Sequence, residues 1–73
     1  MDLMTVKDVA TKLQLSPRSI WRMADGGMLP APVRLMRSIR WRRSEIDLWI
    51  DLGCPARRKF EALKAEESKG VRA

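Results

Sequence analysis

The sequence predicts a mainly α-helical domain carrying one small β-hairpin, on three observations. Between Val9 and Met23 the stretch VATKLQLSPRSIWRM holds two apolar patterns, each about two helical turns long, separated by three residues that end in a helix cap. A third helical pattern, Ile46, Trp49 and Ile50, follows Ser44. Between them, Val33 to Trp41 alternates apolar and basic residues in the manner of two short strands.

The first helix opens at Thr5-Val6-Lys7-Asp8, with Thr5 as N-cap and Asp8 near the free amides of the first turn, and runs to about Leu13. Val9, Ala10 and Leu13 form its inner face. Ser16 caps the second helix and Pro17 takes its first position, where proline is tolerated. Ile20, Met23 and Ala24 face inward, Leu15 is expected to plug the corner between the helices, and Leu15 with Ile20 has the spacing of a hydrophobic staple. Gly26-Gly27 ends this helix, and Pro30 and Pro32 forbid its resumption. Helices joined by so short a turn must cross steeply, so the second projects and shows Arg18 and Arg22 to solvent. That is the geometry of a helix-turn-helix recognition helix.

For the hairpin, a three-residue loop at Met36, Arg37 and Ser38 pairs Leu35 with Ile39, Arg34 with Arg40, and Val33 with Trp41. This register puts the apolar side chains on one face and is preferred over a two-residue loop, which pairs Arg34 with Ile39. The hairpin reads as a wing. Ser44-Glu45-Ile46-Asp47 opens the third helix as another S-x-x-D start, and Gly53-Cys54-Pro55 ends it. From Ala56 onward Lys, Glu, Arg and Ala dominate, and a last helix near 57–68 is expected to be weakly anchored through Phe60 and Leu63. The expected organisation is a winged helix-turn-helix domain over 1–55 and a charged helical tail over 56–73.

Composition narrows the function. A chain of 73 residues buries only roughly 60% of its unfolded surface, leaving no room for an enclosed enzyme cleft beside a core. The charge is uneven: residues 1–44 hold nine Lys/Arg against three Asp/Glu, whereas 45–73 hold six of each. Concentrated positive charge favours a polyanionic partner. Cys54 is the single cysteine, so no internal disulfide forms and a reducing interior suits the chain. No apolar run approaches membrane-spanning length and Met1-Asp2 opens no secretory signal, so a cytoplasmic protein is expected. With no histidine, one unsupported cysteine and no phosphate-cradling glycine loop, neither catalysis nor a cofactor or metal is expected.

Arg18 and Arg22 could simply solubilise a surface helix, but the caps argue otherwise. The first and third helices place Asp8 and Asp47 at the third position after the cap, whereas the second places Ser19 there. An acid there would repel a phosphate, so its absence from the second helix alone fits docking on DNA. From Arg34 to Arg43 there are five arginines and no acid. Arg34 and Arg40, opposed across the predicted hairpin, would repel each other, with Arg37 close by, which points to phosphate or minor-groove contact. The stems of Arg42 and Arg43 could also cover the amino end of the third helix. Trp41 and Trp49 read as core, each indole N–H seeking a polar partner, while Trp21 suits either packing on the wing or contact with a sugar–phosphate strand.

The phrases VATKLQLSPRSIWRM, GGMLPAPVRL and IRWRRSEIDLWI, in unbroken order from Thr5 to Trp49, resemble the AlpA-type prophage regulators and related excisionases of the MerR-like winged-helix group. The resemblance implies a transcription regulator or recombination directionality factor of a prophage or other mobile element. It implies base reading in the major groove by Arg18, Ser19 and Arg22, with Arg34, Arg37 and Arg40 on the adjacent minor groove or backbone. The expected partner is double-stranded DNA, joined by a recombinase or another copy on DNA. Two departures stand out: Gln14 occupies the turn position where glycine is usual, and Met36-Arg37-Ser38 lacks the glycine common at this wing tip.

Overall fold

A computed structural model describes residues 2–72, with side chains to Glu66. Seven elements follow in order: β1 (Leu3–Met4), α1 (Val6–Leu13), α2 (Pro17–Asp25), β2 (Val33–Leu35), β3 (Ser38–Arg42), α3 (Arg43–Asp51) and α4 (Arg57–Arg72). Four helices on a small antiparallel sheet, ordered β1-β3-β2, make a winged helix-turn-helix.

The first two helices form where the caps place them. Thr5 and Asp8 make a reciprocal capping box: the Asp8 N–H donates to Thr5 Oγ1 at 3.1 Å and the Thr5 N–H to Asp8 Oδ2 at 3.0 Å. These bonds hold the Asp8 carboxyl below its ordinary value, with smaller help from the positive charges of Arg43 and Arg40. Gln14 ends α1 in the left-handed region at φ 58°, and the Leu15 N–H returns to the Ala10 carbonyl at 2.9 Å. A side chain therefore occupies a conformation that favours glycine. Leu15 does not plug the corner; it stays 44% exposed while Leu13 and Ile20 fill the space beneath.

One core unites all of this. Val9 and Ala10 of α1, Ile20 of α2, Trp41 of β3, and Ile46 and Trp49 of α3 meet Met4, Leu29 and Phe60 in a single buried cluster. Both buried indoles find acceptors, Trp41 donating to the Pro30 carbonyl at 3.1 Å and Trp49 to the Pro55 carbonyl at 2.7 Å. Phe60 is fully buried, so the start of α4 is not the weakly anchored segment expected from composition. Lys64, one turn further, bonds Glu45 of α3 at 2.8 Å, and this contact raises its pKa.

The wing departs from the expected register. Val33 pairs with Arg40, Arg34 with Ile39 and Leu35 with Ser38, around a two-residue turn of Met36 and Arg37. Met36 has φ 58° and Arg37 does not share the positive sign, the φ pattern of a type II′ turn. Strand β3 is central and owes its facing to β1, where Met4 pairs with Trp41 over the core. Strand β2 is a three-residue edge with no buried side chain, so alternation there had no core to satisfy. The observed register also sets Arg34 and Arg40 on opposite faces, removing the repulsion that the other pairing would impose.

Helix α3 begins one residue before Ser44. Arg42 is its N-cap without a side-chain bond, because β3 runs directly into the helix and the Arg43 N–H is taken by the Asp2 carbonyl at 2.7 Å. Glu45 therefore stands third, and Asp47 instead pairs with Lys12 of α1 at 2.9 Å.

Candidate nucleic-acid interface

Helix α2 is set by its cap and its buried face. The Ser16 Oγ accepts the Ser19 N–H at 3.2 Å and lies 3.1 Å from the Ser19 Oγ, so Ser19 serves the cap as well as the surface. Ile20 is fully buried, with Met23 and Ala24 packed beside it. Opposite them Arg18, Trp21, Arg22 and Asp25 are exposed at i, i+3, i+4 and i+7, one continuous stripe. The first turn of α2 carries no acid, whereas α1 has Asp8 and α3 has Glu45. Helix α4 lacks one too, so the absence is not particular to α2.

The carboxyl end of α2 is held from a distance. Arg57, the first residue of α4, donates from Nε to the Leu29 carbonyl at 2.8 Å and from Nη2 to the Ala24 carbonyl at 3.1 Å. Its backbone N–H bonds the Gly27 carbonyl at 2.8 Å. A cation is ill placed at the amino end of its own helix, but here it satisfies carbonyls at the end of α2, where positive charge is favourable. Trp21 packs on Trp41 with ring centroids 5.7 Å apart and a 53° tilt, while 41% of it stays open to solvent. Both roles foreseen for Trp21 are thus sterically available: one edge rests on the sheet and the other is free.

Between α2 and the wing lies an open cleft of ≈ 690 Å³ lined by Trp21, Ala24, Asp25, Pro32, Arg34, Arg37, Ile39 and Arg57. Three guanidinium groups face one carboxylate there. The turn and the register cause this, since pairing Arg34 with Ile39 turns Arg34 to the sheet face that α2 borders.

The nine residues singled out in the sequence therefore separate. Arg18, Ser19, Trp21 and Arg22 share α2, and Arg34 and Arg37 join Trp21 at the cleft. Arg40, Arg42 and Arg43 do not line it. Arg40 is half-buried and spends one donor on the Ile39 carbonyl at 2.9 Å. Arg42 lines a separate hollow with Asp2, Leu3, Val33 and Ser44, and Arg43 another with Met4, Asp8, Thr11 and Lys12. Sequence reasoning missed Asp25 and Arg57. Asp25 was available from the same helical spacing as Arg18 and Arg22. Arg57 left one signal, a positive residue opening a helix against its dipole.

Among the described residues no group of three or more His, Cys, Asp or Glu side chains could hold a metal ion, and no helix is long and apolar enough to cross a membrane. Cys54 is a free, exposed thiol. Nothing among curated proteins or solved structures matches the chain. A family model described as a helix-turn-helix domain matches residues 3–51, from β1 through the last residue of α3. That span contains the capped helix pair, the wing and most of the core, and the DNA-binding fold it describes is the one observed. The chain belongs to the helix-turn-helix domain family.

Proposed function

We propose that this chain is a sequence-specific duplex-DNA binder of the AlpA and excisionase kind, acting in the cytoplasm on a prophage or other mobile element and working by binding rather than catalysis. One juxtaposition carries the reading: Trp21 and Asp25, half of the exposed stripe that α2 shares with Arg18 and Arg22, border the same cleft as the wing's Arg34 and Arg37. In the proposed complex α2 lies in the major groove. Arg18 and Arg22 reach guanine O6 and N7, the commonest specific contact, and Asp25 accepts from a cytosine amino group. Ser19 and the free edge of Trp21 meet the sugar–phosphate strand beside them. Arg34 and Arg37 take the backbone or the adjacent minor groove, while Arg40, Arg42 and Arg43 add to the field that draws the duplex in.

The test uses a duplex that the wild-type protein retains from a randomised pool, alongside an unselected duplex of equal length. Arg18→Ala should lose about 1–3 kcal/mol on the selected duplex and much less on the other, narrowing the gap between them. Equal losses on both would make Arg18 a phosphate contact and remove it from base reading.

A further inference from the structure

We infer that Met36 is an apolar wedge that enters a base step of duplex DNA while Arg34 and Arg37 engage the flanking phosphates. The inference rests on the DNA-binding reading and goes beyond it, because it assigns unstacking of bases to one side chain at the wing tip.

Met36 is 99% exposed, whereas the other exposed large apolar residues, Leu15, Trp21, Met28 and Leu35, lie between 41% and 46%. Its φ of 58° is one that glycine or asparagine adopts at least cost, and it occupies the first central position of the turn, where glycine is usual. Neither folding nor solubility gains from a long apolar side chain there. Among the described residues the two others that bear a side chain at positive φ, Gln14 and Cys54, follow the ends of α1 and α3 and have their backbone N–H groups bonded to those helices. Behind Met36, Leu35 is 46% exposed, so the tip is a short apolar ridge. Arg34 and Arg37 lie on either side of it in the chain and border the α2 cleft.

The partner that fits is apolar within and anionic without. Stacked bases behind two phosphate strands answer that description, and methionine is among the side chains that open base steps as wedges. A second copy of this chain fits poorly, since its own net charge is +6 and the same arginines would face each other.

The experiment places 2-aminopurine in turn at each position of the duplex retained from a randomised pool and reads its emission on saturation with protein. Wild type should raise the emission at one step. Met36→Gly, which suits the turn and leaves every arginine in place, should still bind but lose most of that rise, and Met36→Leu should keep it. Thermal melts of both variants without DNA confirm that the fold is intact. The inference is overturned if Met36→Gly raises the emission as much as wild type does, or if bound wild type raises it nowhere. It is also overturned if Met36→Gly only abolishes self-association, which would assign the tip to a second copy. Failure of wild type to retain any duplex would instead overturn the DNA-binding reading itself.

Discussion

The two halves of the proposed interface stand on different physical footings. Helix α2 is fixed from three sides: Ser16 caps its start, Ile20 buries its inner face, and Arg57 gathers the carbonyls at its end. The wing is held along one strand only, where β3 buries Trp41 and pairs with β1. Its outer strand has no buried residue, and its tip offers Met36 and Leu35 to solvent. A helix so constrained presents its arginines in one arrangement before any ligand arrives, which suits base reading. A lightly packed hairpin can adjust to a groove whose width varies with sequence, which suits backbone and shape recognition.

The largest effect should come from removing the support of α2. Truncation after Pro55 deletes Phe60, which is fully buried in the common core, and the three bonds that Arg57 makes. Loss of a buried phenylalanine alone costs about 3–5 kcal/mol, comparable with the whole stability of so small a domain. The truncated chain should therefore show no cooperative thermal transition, and we propose that the folding unit extends past residue 55 into α4. Arg57→Lys keeps the charge without the planar fork and should lower stability by less, about 1–3 kcal/mol. A truncated chain that melts like the full one would place the support of α2 elsewhere and dissolve the contrast.

The same contrast explains what could be read from the sequence. The ends of α1 and α2, their inner faces and the exposed stripe follow from caps and a 3.6-residue period, all local chemistry acting within a few residues. The wing register depended on β1, a two-residue strand at Leu3–Met4 too short to carry a pattern of its own. Pairing Met4 with Trp41 fixes the face of β3, and β2 follows. The start of α3 shifted from the expected Ser44 cap for a similar reason, since the Asp2 carbonyl captures the Arg43 N–H from a distant part of the chain. Arg57 and Phe60 were misjudged because α4 looks neutral and polar as a whole, while its few inward residues reach elements that end some thirty positions earlier.

A smaller effect should separate the wing arginines from one another. Arg34 and Arg37 border the cleft, so replacing both by glutamine should weaken binding alike on selected and unselected duplexes and reduce the log–log salt slope by roughly 1.8. Arg40→Gln should change the slope little, because Arg40 lies on the other face and is bonded to the Ile39 carbonyl. Salt titrations of wild type, the double variant and Arg40→Gln read both outcomes. If Arg40→Gln flattens the slope as strongly as the pair does, the wing meets DNA with its opposite face and the cleft is not the binding surface.

The smallest effect should come from the turn between α1 and α2, which shares a positive φ with the wing tip. Gln14 and Met36 both have φ 58°. Holding a side chain in this region costs roughly 1–2 kcal/mol, and glycine removes that cost but regains freedom in the unfolded chain. The net gain on Gln14→Gly should therefore be a few tenths to about 1 kcal/mol, seen as a higher melting temperature. Because Gln14 is exposed and α2 stays held by Ser16, Ile20 and Arg57, binding and discrimination between duplexes should not change. Met36→Gly should give a similar gain in stability, yet on the proposed reading it removes the wedge. One substitution made at two positions of equal φ thus isolates function from strain. If Gln14→Gly alters discrimination as much as Met36→Gly alters base unstacking, the turn itself sets the pose of α2, and the helix is less firmly fixed than its cap, core and clamp indicate.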